Sequence, residues 1–315
     1  MELIRHLHNI KPRHRGCVMT IGNFDGVHRG HQLIVSQLRE AASKENVPAL
    51  MVTFEPHPQE FFSPGQAPAR LMRLREKIEY LESLGVDRLL VLNFNERLAS
   101  LTAEAFIHSI MIDKLAVKHL IVGDDFHFGR DRRGDVALLQ KFGKQHAFAL
   151  EIARTCEFNA QRISSTWVRE ALADGNMQLV ENLLGRPYSL SGRVRHGDKR
   201  GRELGYPTLN IDLHRKVSPV TGIFVSEVHG LGKSALPSVT SIGTRPVFSG
   251  EHLLLESYLF EFEQDVYGAY VTVVLLKKLR AEQMFNSVEA LREQMERDIF
   301  SARNYFKNKN KPVLT

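Results

Sequence analysis

Residues 17–31 read Cys17-Val18-Met19-Thr20-Ile21-Gly22-Asn23-Phe24-Asp25-Gly26-Val27-His28-Arg29-Gly30-His31. The first five are apolar or β-branched and form a strand-length run. Three glycines follow, and then an amphipathic stretch, His31–Asn46, with apolar residues at helical spacing. Strand, glycine turn and helix in immediate succession is the opening of an α/β domain.

The alternation continues outward from that stretch. Ala49–Phe54, Leu89–Leu92 and Leu120–Val122 read as further strands, with helices at Leu74–Leu84, Ala103–Leu115 and Val136–Phe142. Buried β-rich runs separated by helices predict a parallel sheet with crossover connections. Two more helices are expected at Thr166–Asp174 and Met177–Leu184. Gly185-Arg186-Pro187 is then a helix stop and marks the end of a first domain, residues 1–185. From 186 to 306 the texture is strand-like: Leu190–His196, Ile223–Val228, Val239–Ile242, Leu253–Phe262 and Tyr270–Leu279, closed by a helix from Val288 to Phe300. This pattern predicts a small antiparallel β-barrel with a closing helix. The polar tail, residues 307–315, is expected to fray.

Composition bounds the function. The 315 residues are 43% hydrophobic and 25% charged, which excludes wholesale disorder. Forty-two Lys+Arg against thirty-six Asp+Glu give +6, a balance that suits phosphates and nucleic acid equally. Cys17 and Cys156 form no CxxC pair, so a disulfide framework and a cysteine zinc site are not expected, and the reducing cytoplasm is the expected location. No signal-peptide core stands at the N-terminus. No apolar run approaches the ~20 residues of a membrane span; the best, Val271–Leu276, is strand-sized.

Chemistry concentrates in a few motifs. The turn Gly22–His31 lets backbone approach a ligand, and the following helix N-terminus offers N–H groups to an anion. His28 and His31 flank Gly30, so both imidazoles can donate to phosphate oxygens as charge builds. A zinc pair is the rival reading, but no third ligand fits HExxH spacing. Ser164, Ser165 and Thr166 precede a helix, where hydroxyls cap it or hold phosphate, and Arg169 adds a forked cation. Phe126 and Phe128 either stack on an aromatic ligand or pack in the core. In the second half, the basic loop with Gly197, Lys199, Gly201, Arg202 and Gly205 can wrap a polyphosphate or remain a solvated charge run. Thr208 and Asn210, on one face if extended, carry oxygens suited to Mg²⁺. Gly232-Lys233-Ser234 is no Walker loop, because Glu227 stands where its first glycine belongs, and GxGxxG is absent.

The run Gly22–His31 resembles GxFDGxHxGH, the nucleotidyltransferase signature in the FAD synthetase module of bacterial bifunctional riboflavin kinase/FAD synthetases. The resemblance continues through Thr53-Phe54-Glu55-Pro56-His57-Pro58 (TFxPHP), Val122-Gly123-Asp124-Asp125-Phe126-His127-Phe128-Gly129 (VGxDFxFG) and Ile163-Ser164-Ser165-Thr166-Trp167-Val168-Arg169 (ISSTxxR). In the second half, Gly192–Asn210 resembles the riboflavin kinase motif GxVxHGxxxGRxLGxPTxN, with Leu209 where alanine is commonest. Ser241–Phe248 resembles NIGxRPTF, departing at Ser241 and Val247. Leu255-Glu256-Ser257-Tyr258 followed by Asp265-Val266-Tyr267-Gly268 resembles the kinase's later motif, and Phe285–Arg303 its terminal helix.

This resemblance implies a Rossmann-like nucleotidyltransferase domain followed by a riboflavin kinase-like barrel. It implies ATP binding in the first by Gly22, Asn23, Phe24, Asp25, Gly26, His28, Gly30, His31, Ser164, Ser165, Thr166 and Arg169. Pro56, Pro58, Phe62, Asp125 and Phe128 are implied toward the flavin. In the barrel it implies ATP binding by Gly197, Lys199, Gly201, Arg202, Gly205, Pro207, Thr208 and Asn210, with Mg²⁺ on Thr208 and Asn210. His28, His31 and Arg169 are implied catalytic residues of adenylyl transfer, and Glu256 is the implied base of the kinase.

The implied activity is riboflavin to FMN and FMN to FAD, each with ATP. The expected partners are these small molecules, with no nucleic acid and no membrane, and with room for self-association. Two rival readings are a one-activity enzyme and a basic flavin- or nucleic-acid-binding regulator; the latter predicts salt-dependent binding without ATP turnover.

Overall fold

A computed structural model describes residues 1–197, 205–215, 217–247 and 250–309; of residues 245–247 and 250–252 only the backbone is described. Lys199, Gly201, Arg202, Phe248 and the tail beyond 309 lie outside the described residues. The chain divides into two compact units. One comprises Met1–Pro68 and Met72–Ser165; the other comprises Ala69–Leu71 and everything from Thr166 onward.

The first unit is a parallel six-stranded sheet. Its strands are β1 (Glu2–Arg5), β2 (Cys17–Ile21), β3 (Ala49–Glu55), β4 (Arg88–Asn93), β5 (Val117–Val122) and β6 (Ala149–Ile152), in the order β1-β4-β3-β2-β5-β6. All five residues of β2 are buried, as befits a central strand covered on both faces. Side-chain alternation splits the core into two layers. Met19, Ile21, Leu50, Val52, Leu90 and Leu120 face one way, and Val18, Met51, Leu89, Val91 and Ile121 the other. Helices cover both faces. On the second layer lie α1 (Arg29–Glu45), through Val35 and Leu38, and α3 (Leu74–Ser83), through Leu81. A short α2 (Pro58–Phe62) and α4 (Glu96–Ala99) stand at strand ends. The first layer is covered by α5 (Ala103–Phe106), which continues as a π-helical segment Ile107–Lys114, and by α6 (Val136–His146). Each fully buried Leu or Ile in these layers contributes about 1.5–3 kcal/mol.

Four of the six strands match expectation, extended by up to three residues. The two unforeseen ones, β1 and β6, are short edge strands carrying Glu2, Arg5 and Glu151. Edge strands need no continuous apolar run, so they leave no such signal. A small antiparallel hairpin, β7 (Glu157–Phe158) and β8 (Gln161–Arg162), follows the sheet.

The chain lays β3 and β4 on one side of β2 and then crosses to put β5 on the other. The carboxyl ends of β2 and β5 therefore flank a topological switch point, where open α/β sheets hold ligands. The turn Gly22–His28 leaves β2 at that point.

The second unit begins with α7 (Ser165–Asp174, from Thr166) and α8 (Met177–Leu184). The left-handed Gly185 stops α8, as expected. Of these two helices, α8 packs with the barrel, burying Val180, Leu183 and Leu184 beside the strands Tyr188–Arg195 and Tyr270–Arg280; the division by packing thus precedes Gly185. Strands β9 (Tyr188–Arg195), β10 (Thr208–Asp212), β11 (Gly222–His229), β12 (Leu236–Val247), β13 (Gly250–Leu259) and β14 (Tyr270–Arg280) close an antiparallel barrel in the order β10-β13-β12-β11-β14-β9. The expected five strands thus become six, with Thr208–Asp212 as the closing strand. Inside, Ser226, Ser238, Thr240 and Ser257 are fully buried and hydrogen-bonded to one another, Ser226 Oγ to Thr240 Oγ1 at 2.6 Å and Thr240 Oγ1 to Ser257 Oγ at 2.8 Å.

The closing helix, α9 (Val288–Lys309), is longer than the expected Val288–Phe300. Ala302, Tyr305 and Phe306 pack with Val225 and Phe260, so apolar contacts carry it two turns further, and residues 307–309 of the expected frayed tail are helical. Asp298 anchors it, accepting from Arg280 Nε and Nη2 at 3.0 and 2.8 Å. The short segment Ala69–Leu71 belongs to this unit. Its carbonyls accept in turn from Arg169 Nε (2.7 Å, Ala69), Arg215 Nη1 (2.8 Å, Arg70) and the Tyr188 hydroxyl (3.0 Å, Leu71).

Candidate active sites

The turn after β2 is held in unusual backbone. Phe24, Gly26 and Val27 have φ of 47°, 80° and 40°; for Phe and Val this is strained and must be fixed by the surroundings. The contacts that fix it are visible. Gly22 N–H donates to the Val52 carbonyl (3.1 Å), Asp25 Oδ1 accepts from Met72 N–H (3.2 Å), and Ser165 Oγ donates to the Asp25 carbonyl (2.9 Å). His28 is the N-cap of α1, its Nδ1 accepting from the His31 N–H at 3.4 Å.

The two imidazoles stack with centroids 3.7 Å apart and planes 19° from parallel, and Phe24 meets His31 edge-on at 5.2 Å. His28 is 5% exposed, and His31 is half-buried. The His31 Nδ1 is buried and has no hydrogen-bond partner among the described residues, a state that costs free energy until a ligand or water fills it. Burial holds the His31 imidazole well below the usual histidine range, and the neighbouring His28 and then Lys77 push the same way. A neutral ring keeps one N–H to donate and one nitrogen to accept.

Gly30 packs tightly on this stack. A Cβ there would lie 3.1 Å from Cε1 and Nδ1 of His28, whose ring is backed by His31. If this module makes FAD as the resemblance implies, Gly30→Ala is expected to lower FAD formation about tenfold by tilting the pair, with FMN formation unchanged, measured as separate product rates.

The structure thus gathers Gly22, Asn23, Phe24, Asp25, Gly26, His28, Gly30, His31 and Ser165 around one turn. Thr166 and Arg169 are placed on α7 in the second unit. The expected flavin side is divided. Phe62 is 65% exposed and lies edge-on to Phe61 and Phe94, forming with Phe54 an aromatic group just beyond β3 and β4. Pro56 and Pro58 lead into it, Pro58 as the first residue of α2. Asp125 is exposed and paired with Arg162 Nη2 at 3.0 Å. Phe128 is 8% exposed; it sits in the core against Phe106 and stacks on Phe126 at 5.4 Å, so core packing is what its ring does here.

Sequence reading passed over three residues that touch these groups. Phe61 and Phe94 carried no motif. Lys77 lies on the inward face of α3, in the stripe Leu74, Ile78 and Leu81, and a lysine on an apolar face was the available signal.

In the barrel, register brings the expected kinase residues Thr208, Asn210 and Glu256 together. Asn210 pairs with Glu256, Glu256 with Ser241, and Thr208 with Tyr258, and residues directly opposite share a face. Leu253, Leu255, Ser257 and Leu259 are buried inward, so Glu256 and Asn210 stand together on the outer face. Gly205 (φ 87°) turns the chain into Pro207 and Thr208. Gly197 meets Asn210 so closely that a Cβ would fall 2.3–2.4 Å from its amide group. Gly197→Ala is therefore expected to displace Asn210 and, if the barrel is the kinase that the resemblance implies, to cut riboflavin phosphorylation about tenfold or more, while FAD formation from supplied FMN persists.

A histidine pair at a helix N-terminus over a parallel-sheet switch point, and a carboxylate beside hydroxyl and amide groups on a barrel face, define a protein of two phosphate-handling modules. Comparison with known proteins says which. Residues 10–167 match the FAD synthetase family model and residues 184–306 the riboflavin kinase model. The chain is 50% identical over 97% of its length to the bifunctional riboflavin kinase/FMN adenylyltransferase of Escherichia coli K12, covering 98% of that protein. The namesake proteins of Pseudomonas fluorescens (50%, over 96% of this chain and 97% of that one) and Haemophilus influenzae (46%, over 97% and 99%) are similar along the same span. A crystal structure described as a macrolide-efflux protein from Streptococcus pneumoniae superposes with a TM-score of 0.82 at 31% identity, covering 96% of this chain and 99% of that one. Among the described residues here, no helix is long and apolar enough to cross a membrane. The chain belongs to the bifunctional riboflavin kinase/FMN adenylyltransferase family.

Proposed function

We propose that the chain makes FAD in two consecutive reactions, with the change of module at Gly185. The observation that carries the reading is the presence in one chain of the stacked His28–His31 pair after β2 and the Asn210–Glu256 pair on the barrel. In the barrel, the terminal hydroxyl oxygen of riboflavin attacks the γ-phosphorus of ATP, Glu256 takes the hydroxyl proton, and the bond to the departing ADP breaks. In the first module, an oxygen of the FMN phosphate attacks the α-phosphorus of a second ATP and pyrophosphate leaves. His28 and His31 donate to phosphate oxygens as charge develops, and Arg169 adds a cation. Ser164, Ser165, Thr166 and the backbone from Gly22 to Gly26 complete the ATP cradle. Phe62, Pro56 and Pro58 offer the flavin an apolar face, Asp125 a polar edge, and Phe128 backs Phe126.

The residues present fit Mg²⁺ delivered with ATP. Thr208 and Asn210 supply hard oxygens beside Glu256, and no group of three or more His, Cys, Asp or Glu among the described residues forms a dedicated cage. Bound there, Mg²⁺ supplies charge neutralisation on the phosphates. ATP, riboflavin and FMN are the partners in this reading, in the cytoplasm, without nucleic acid or membrane.

A chromatographic time course with riboflavin, ATP and Mg²⁺ tests this. FMN should rise first and FAD follow. A stop at FMN would sink the adenylyl-transfer half, and no flavin nucleotide at all would sink both.

A further inference from the structure

We propose that Lys77, on α3, is a positioning residue of the adenylyl-transfer site, holding the Asn23 carbonyl and keeping a fixed positive charge beside the His28–His31 pair. The inference rests on the adenylyl-transfer reading of that pair.

Lys77 is only 6% exposed, a rare state for a lysine and one that costs desolvation. Its Nζ donates to the Asn23 carbonyl at 2.6 Å and lies 3.5 Å from the Thr53 hydroxyl. That hydroxyl, fully buried, donates to the same carbonyl at 3.3 Å. Asn23 is the residue immediately before Phe24, where the chain enters left-handed backbone, and the Phe24 ring leans edge-on against His31. The ammonium thus fixes the peptide that aims Phe24 and, through it, the imidazole.

The charge has a second effect. Two neighbours disfavour protonation of His31: His28, from the same turn, and then Lys77, from α3. Lys77 therefore helps keep His31 a neutral donor in the free protein.

The test compares Lys77→Met, Lys77→Arg and Lys77→Gln in the full chain, with riboflavin phosphorylation as the internal control. In Lys77→Met the kcat of FAD formation should fall at least about tenfold, with the KM for ATP changing less than about threefold and FMN formation unchanged. Lys77→Arg should recover most of the rate. Lys77→Gln keeps a donor for the Asn23 carbonyl without the charge, and serves as the readout should the methionine variant not fold. In Met and Gln variants, the His31 ring signal followed by NMR should titrate at higher pH than in the parent. Full FAD synthesis in the uncharged variants overturns the proposal, as does an equal loss in Lys77→Arg with His31 titrating unchanged. His28→Ala run alongside separates the two readings. If that variant still makes FAD, the site assignment fails; if only the Lys77 variants keep full activity, the role of Lys77 fails alone.

Discussion

His28→Ala is expected to abolish FAD formation from FMN and ATP while leaving FMN formation from riboflavin intact. The alanine removes three things together. It takes away the ring on which His31 stacks at 3.7 Å, the acceptor that caps α1, and one of the two donors proposed for the phosphates. Loss of the cap alone costs about 1 kcal/mol, which a unit with two buried core layers withstands. Loss of a positioned donor costs about 10²–10³ in rate, and the disturbed His31 adds to that. The measurement is pyrophosphate release with FMN supplied, beside ADP release with riboflavin supplied. Survival of both activities in a folded variant would show that the turn after β2 is not where adenylyl transfer occurs.

Glu256→Gln should do the reverse. Glutamine preserves shape and hydrogen bonding on the outer face of β13, opposite Asn210 and Ser241, but cannot accept the riboflavin hydroxyl proton. A positioned base contributes roughly 10²–10⁴ in rate, so FMN formation should fall by that factor. The KM for ATP should change little, because the carboxylate is assigned to the proton and not to the phosphates. FAD formation from supplied FMN should be unaffected. A glutamine variant retaining full kinase rate would return Glu256 to an ordinary strand-surface residue.

Much of the fold was legible in the residues because the strongest signals are local. Cys17–Ile21 is a strand because five successive residues are apolar or β-branched, and the glycines after it had to turn. The edge strands β1 and β6 and the closing strand β10 were not legible in the same way. Each is short and carries charged or polar side chains, and each is a strand because a neighbour's backbone is there to pair with. The length of α9 was likewise set at a distance, by Phe260 and Val225 receiving Ala302. At the sites, the motif residues of the β2 turn were readable, since glycine and histidine at fixed offsets have few other uses. The division between Phe62 and Phe128 was not. Both are phenylalanines implied toward the flavin, and only packing puts one at the surface and the other against Phe106. Lys77 was hidden for a similar reason: its partner is a carbonyl 54 residues away.

The three-residue segment Ala69–Leu71 has a practical consequence for anyone who wishes to separate the two activities. It is bracketed on both sides by the first unit yet spends its carbonyls on Arg169, Arg215 and Tyr188. The polypeptide therefore passes between units three times, after residues 68, 71 and 165. One protease nick near residue 165 does not sort the units into separate pieces of chain. A kinase fragment made by simple truncation starts without that segment, and so without the carbonyls to which Arg169, Arg215 and Tyr188 donate. Dissection of this protein calls for grafting a short loop as well as choosing an end point.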